Sequence, residues 1–358
     1  MGITDQLFVR SLRLFGPKRA HSIASWLLKE ASTRRWAKRF IRWKFDPTNI
    51  QIPCRFLDYD LASPIGLGAG FDLDGSLLPA LGCLGFGAIE TGSLQPRTYL
   101  DYLDPGLFVD YRLKLLGYNF SLGSSDWKEA AHQISRAYTR GIRGANIAVG
   151  QGSIANVDKH FEEVIEMATV LTKGIDYLTI HTGFSAFERE NILLDPLQLR
   201  KFLRVLSPRL DCPFLVKLPL GLDHKKFLHL AKVALEGKAA GWILGGALPK
   251  EYVPHLKLRR DKTFQVSGQP IRESSMQAIT LLRSEFGLKP ALVASGGIQS
   301  GKDLVQAIRL GADFVQVYSS LILRGPGIVK MMHKEARREM NHLGVKHIED
   351  LRGIDLRE

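Results

Sequence analysis

From Asn49 onward the chain repeats one pattern: a short apolar run closed by Gly, Ser or Pro, then a stretch of helical period. The runs are "PIGLGAG" (64–70), "FGAIETGS" (86–93), "NIAVG" (146–150), "YLTIHTG" (177–183), "FLVKLP" (214–219), "GWILGGA" (241–247), "ALVASGG" (291–297) and "FVQVYSS" (314–320). A strand with one wet face would alternate apolar and polar residues. Continuous apolar runs predict strands buried on both faces. In the helical stretch "GKDLVQAIRLG" (301–311), Leu304, Ala307 and Ile308 fall on one stripe and Gly311 supplies the stop. Eight strand–helix units over roughly 270 residues predict an α/β chain folded as a (β/α)8 TIM barrel with an N-terminal helical extension. A doubly wound open sheet gives no reason for eight evenly spaced units. Residues 94–145 are too long for one connection and predict an insertion on the top face, with a helix near Trp127–Tyr138. Residues 248–272 predict a second long loop.

Ahead of the barrel, "AHSIASWLLKEA" and "TRRWAKRFIRWKF" predict two short helices. Residues 1–46 hold eleven basic and three acidic side chains, so +8 of the formal +13 charge falls there, with three of the five tryptophans. Trp36, Phe40 and Trp43 recur at helical spacing among Arg34, Arg35, Lys38, Arg39 and Arg42. Such a helix suits a lipid headgroup layer, where cations meet anionic lipid and tryptophan sits at the interface. The alternative is a helix packed on the barrel with a solvated basic face. No nucleic-acid-binding motif accompanies the charge. No apolar run approaches the ~18 residues that a membrane span requires, and the N-terminus lacks a signal-peptide core. Cys54, Cys83 and Cys212 are odd in number and far apart, as expected of reduced thiols in a cytosolic compartment.

Barrels carry their chemistry at the C-terminal ends of the strands, and a phosphate often binds after the last two. Here the seventh run ends in Ser295-Gly296-Gly297 ahead of a helix, and the eighth ends in Tyr318-Ser319-Ser320. Glycines let backbone N–H groups approach a phosphate, and the helix start favours its charge. Glycines needed only for tight turns are the alternative.

The segments "SPIGLGAGFDLDGSLLPALGCLGFGAIETGSLQPR", "LLGYNFSLG", "VKLPLGL", "VSGQPIR" and "ASGGIQSGKDLVQAIRLGADFVQVYSSLILRGP", with the early "GPKRAHSIASWLL", resemble the class 2, quinone-dependent dihydroorotate dehydrogenases. The resemblance runs in order over nearly the whole chain. It implies an FMN-carrying barrel over residues 47–358 and a helical segment over 1–46 that docks on the cytoplasmic side of a membrane as a peripheral protein and guides quinone to the flavin. It also implies the flavin contacts: backbone from Ala69, Gly70, Phe71 and Asp72, then Ser93, Asn119, Asn146, Lys217, Ser267, Gly268, Gly296, Gly297, Tyr318 and Ser319. Lys217 matches a cation that stabilises negative charge on the reduced ring.

The substrate side departs from the family pattern. Leu73 stands where the family has a lysine. His181, Phe184, Ser185 and Ala186 replace an asparagine, the catalytic serine, a proline and a second asparagine. Gly245-Gly246-Ala247 replaces Thr-Asn-Thr. These losses remove hydrogen bonds that each contribute ~1–3 kcal/mol to holding a buried acid. Phenylalanine is no base. His181 remains a candidate for proton transfer, flavin contact or a structural role, and Ser185 a candidate base if the loop slips by one residue. Two readings therefore stand: an FMN-dependent oxidoreductase with an altered, more apolar substrate, or a non-catalytic FMN-binding paralogue acting as a binding or scaffold protein.

Overall fold

A computed structural model describes residues 16–96, 107–118, 126–149, 156–183, 191–250, 253 and 264–356. Helices α1 (Gly16–Thr33) and α2 (Arg35–Phe45) lead into a small hairpin of β1 (Cys54–Phe56) and β2 (Tyr59–Leu61). Eight parallel strands then close a barrel in chain order: β3 (Ile65–Asp72), β4 (Ala88–Leu94), β7 (Ile142–Ala148), β8 (Tyr177–His181), β9 (Phe214–Leu218), β10 (Gly241–Gly245), β13 (Ala291–Ser295) and β14 (Phe314–Val317). These are the eight apolar runs, and β14 pairs with β3 to complete the ring.

The two long connections do not stay separate. Strands β5 (Phe108–Asp110) and β6 (Leu115–Tyr118) come from the first, β11 (Leu248–Pro249) and β12 (Gln265–Gly268) from the second. They join as one antiparallel sheet ordered β11-β12-β6-β5. The expected second loop is thus partly strand. Its pairing partner lies more than a hundred residues away in sequence, beyond the reach of local pattern. The helix expected near Trp127–Tyr138 spans Trp127–Arg136, capped by Asp126 accepting from the Lys128 N–H at 2.9 Å.

The barrel lumen holds a carboxylate. Glu90 on β4 is fully buried, and its Oε1 accepts from Gln316 Nε2 at 2.6 Å, Thr179 Oγ1 at 2.9 Å and the Tyr177 hydroxyl at 3.2 Å. Asn146 Nδ2 approaches Oε2 at 3.4 Å. One side chain thereby ties β4 to β7, β8 and β14. A buried ion without partners would cost several kcal/mol, so the four donors are a condition of its presence.

The helical pair rests on the barrel through small residues, Ala31 and Ala37 against Ala80, with Leu28 and Ile41 beside them. Ser32 Oγ accepts from the Ala80 N–H at 3.2 Å, and Arg140 pairs with Asp46 at 3.0 Å. Trp26, Trp36, Phe40 and Trp43 stay exposed, Trp43 at 78%. Among the described residues no helix is long and apolar enough to cross a membrane.

Glu90→Leu is expected to lower stability by about 3 kcal/mol or more, because it strands four buried donors. The isosteric Glu90→Gln, which keeps an acceptor oxygen, should cost roughly half as much. Urea-unfolding midpoints at matched flavin content measure both.

Candidate functional site

The C-terminal ends of the strands bring most of the expected residues onto one rim. Ser93 donates from Oγ to Asn146 Oδ1 at 2.6 Å, and Asn146 passes the chain on to Glu90. His181 and Lys217 stand side by side, paired in register between β8 and β9. The turn after β3 meets the end of β14: a Cβ on Gly70 would lie 3.3 Å from the Tyr318 ring. Gly245 packs on the backbone of Ser295 and Gly296. At Gly297, φ is +72° and a Cβ would come within 2.4 Å of Arg272 Cα, so only glycine fits. Gly246 differs, since a Cβ there would meet nothing nearer than Lys217 Cε at 3.9 Å. This side of the rim is open. Asn119, Phe184, Ser185 and Ala186 lie outside the described residues.

Electrostatics separate the two side chains that sequence alone left ambiguous. Lys217 is buried, and no carboxylate lies within ion-pairing distance among the described residues. Burial pulls its pKa below the usual lysine value, while the charge of Glu90 pushes the other way. His181 is pushed down to about 3, first by burial and then by neighbouring Lys217. Its imidazole is therefore neutral at physiological pH and a weak proton acceptor. Its Nδ1 is buried without a partner, and a Cβ on Gly183 would come within 2.5 Å of Nε2. Asp72, pushed up to about 7 chiefly by burial, accepts from the Gly75 N–H at 2.9 Å and the Leu77 N–H at 3.2 Å. Its carboxylate caps a turn, which leaves backbone as this segment's offering to a ligand.

The rim also carries unpaired polar atoms. Ser267 Oγ on β12, His181 Nδ1, Gln95 Oε1 just past β4, and Ser275 Oγ and Ser320 Oγ are buried with no hydrogen-bond partner. Ser275 lies 3.1 Å from a Cβ placed on Gly296, beside the glycine turn. Ser319 Oγ accepts from Gln299 Nε2 at 3.0 Å. Native folds leave few such groups unmatched, so a concentration of them at strand ends fits a polar ligand. Gly296, Gly297 and Ser319 suit its phosphate; Lys217 and His181 suit a ring that carries or gains negative charge. FMN fits this donor set.

Sequence reading missed Glu90, Gln95 and Ser275. For Glu90 the signal was present, as a carboxylate inside an apolar strand is costly unless paired. No cue in the sequence marked the other two.

These features define a barrel that binds a phosphate ester at its C-terminal rim. The family follows from comparison: the family model described as dihydroorotate dehydrogenase matches residues 52–340, and the chain belongs to that family, whose members are FMN-dependent oxidoreductases. It is 28% identical over 320 residues to the dihydroorotate dehydrogenase (quinone) of Rhodospirillum rubrum, covering 86% of this chain and 84% of the relative. It is 26% identical over 356 residues to that of Azorhizobium caulinodans, covering 97% of each. Among solved structures, a dihydroorotate dehydrogenase of Eimeria tenella in complex with ferulenol superposes with a TM-score of 0.81 at 21% identity, covering 98% of this chain and 99% of that one.

A half-buried histidine held neutral carries a definite pH signature. The unfolded chain takes up its proton near pH 6.5 while the folded chain resists to about 3, so the stabilising effect is complete above pH 6.5 and declines as pH falls. At pH 5 the loss from His181 is about 2 kcal/mol. His181→Asn should show a smaller drop in unfolding free energy between pH 7.5 and pH 5 than the parent, by about that amount. An equal drop in both proteins would mean the imidazole is protonated in the fold.

Proposed function

We propose that the chain is an FMN-dependent oxidoreductase, peripheral to a membrane, that passes electrons to a quinone and oxidises a donor less polar than dihydroorotate. Bound FMN supplies the redox centre. The chain's own residues hold it: backbone of Ala69–Asp72, Ser93, Asn119, Asn146, Ser267 and Gly268 along its length, Gly296, Gly297, Tyr318 and Ser319 at the phosphate. Lys217 places a desolvated cation at the rim, where it stabilises negative charge. His181, held neutral beside it, orients a ligand by hydrogen bonding rather than carrying a proton at physiological pH.

The observation that carries the membrane and quinone half of this reading is a cleft of about 780 Å³. It is lined by Ala24, Leu28, Ala37, Phe40 and Ile41 of the helical pair and also by Phe71, the residue after Gly70 on β3. An apolar path from exposed aromatic helices to the candidate flavin suits a hydrophobic acceptor. On this reading residues 1–46 dock and residues 47–358 catalyse.

The donor half rests on which residue types stand at the positions where the family pattern holds its substrate. Leu73, Phe184, Ala186, Gly245 and Gly246 supply neither a cation for a carboxylate nor side-chain amides for a pyrimidine. Gly246 stands in open space, which leaves room for a bulkier and more apolar donor. Ser185 is the hydroxyl nearest in sequence to the lost base position.

The purified protein is expected to be yellow, to be bleached by dithionite, and to reoxidise with a short-chain quinone. Dihydroorotate should reduce its flavin at least 10³-fold more slowly than in a dihydroorotate oxidase, reflecting two or more lost contacts at ~1–3 kcal/mol each. Phe184→Ser alone should not restore turnover, because the grip on the carboxylate stays absent. Rapid flavin bleaching by dihydroorotate in the unmodified protein would refute the altered-donor reading. Bound flavin that no donor in a broad screen reduces would favour a binding or scaffold role.

A further inference from the structure

We propose that a second site, distinct from the rim, binds the phosphate of an anionic lipid headgroup between α2 and the helix Ile328–His342. The proposal rests on the membrane docking inferred above and adds a specific ligand to it. The site is a pocket of about 370 Å³. Its lining carries four cations, Arg39 and Arg42 from α2 and Lys330 and Lys334 from one face of the later helix.

The lining contains one carboxylate, Asp46, and it is already engaged. Its Oδ1 accepts from Thr48 Oγ1 at 2.6 Å and its Oδ2 pairs with Arg140 at 3.0 Å. Lys330 donates to the Lys44 carbonyl at 3.2 Å, which fixes its position and leaves two ammonium protons. Arg42 places Nη2 at 3.9 Å from Cys83 Sγ, while its Nε is buried without a partner. The pocket therefore gathers like charges from two distant segments and, among the described residues, offers them no carboxylate but Asp46, which Arg140 and Thr48 already engage. Such a cluster opposes its own assembly unless an anion fills it. Arginine forks and lysine ammoniums together match an oxyanion with several oxygens, as in a phosphate ester.

The position selects lipid over a soluble ester. Two faces of α2 do two jobs: Trp36, Phe40, Ile41 and Lys44 line the apolar cleft, whereas Arg39, Arg42 and Trp43, with Asp46 just past the helix end, line the basic pocket. Phe40 and Trp43, both exposed, bridge the faces with ring centroids 6.0 Å apart. A tryptophan at the mouth of a cationic pocket, beside an exposed aromatic ridge, is the arrangement of a membrane–water interface, with the phosphate layer level with the indole.

Vesicle co-sedimentation tests this on the full chain. Adding phosphatidylglycerol to phosphatidylcholine vesicles should tighten binding of the parent protein. Arg39→Glu/Lys334→Glu should abolish most of that gain, weakening binding to the anionic vesicles about tenfold or more. Lys225→Glu/Lys232→Glu, an equal charge change on the exposed face of the helix His224–Glu236, should weaken it about twofold. Binding to phosphatidylcholine alone should be the same for all three proteins and reports the aromatic docking separately. Equal losses for the two reversal pairs, with phosphatidylcholine binding intact, would overturn the pocket while leaving the docking standing. If no protein binds either vesicle, the docking fails and the proposal falls with it. Displacement from anionic vesicles by glycerol 1-phosphate at concentrations too low to screen charge would overturn the lipid assignment in favour of a soluble ester.

Discussion

A single buried carboxylate organises this barrel. Glu90 is tolerable in the lumen only because Gln316, Thr179, Tyr177 and Asn146 reach it from three other strands. That requirement fixes more than register. Asn146, held by Glu90 on one side, takes the Ser93 hydroxyl on the other, so the amide that faces the rim has one orientation. The same charge opposes part of the desolvation that lowers the pKa of Lys217. Structural floor and functional rim are therefore coupled through one residue, and a change at Glu90 would be felt in both.

The strands were legible because burial on both faces leaves an unmistakable apolar run ended by glycine. All eight barrel strands fall on such runs. The antiparallel sheet over the top was not, since β6 and β12 recognise each other across a sequence gap that no local window spans. Candidate flavin positions such as Gly297, Ser93 and Lys217 were legible through family resemblance, and each lies at or just after the C-terminal end of a barrel strand. His181 was legible as a position but not as a chemical state. Its neutrality depends on burial and on the adjacent ammonium, which only the pairing of β8 with β9 brings beside it. Glu90 failed for the opposite reason. The sequence displays the carboxylate openly, but its four partners lie on three other strands, the farthest 226 residues away.

The N-terminal pair is held on the barrel by contacts of a different character. Alanines at the seam bury little area, and polar ties through Ser32, Arg42 and Asp46 do much of the positioning. Burial of apolar area sets the strength of such docking, so this seam is weak relative to the barrel core. Meanwhile four large aromatics remain in solvent. A chain that spends its aromatic residues outward has its best apolar partner elsewhere, and the proposed lipid surface supplies one.

The proposed reading of the two sides of the flavin site follows from what each side is made of. Part of the anchor is glycine at a position where a side chain has no room: a Cβ at Gly297 would overlap Arg272. Change there breaks the barrel itself, so folding alone protects it. On the proposed donor side, a Cβ at Gly246 would meet nothing nearer than Lys217 Cε at 3.9 Å. Space alone would admit a side chain at Gly246, although its φ of +121° still favours glycine. On the proposed reading, a retained cofactor seat beside an altered donor side places the specificity of this protein in the side chains around that opening rather than in the strands that carry the flavin.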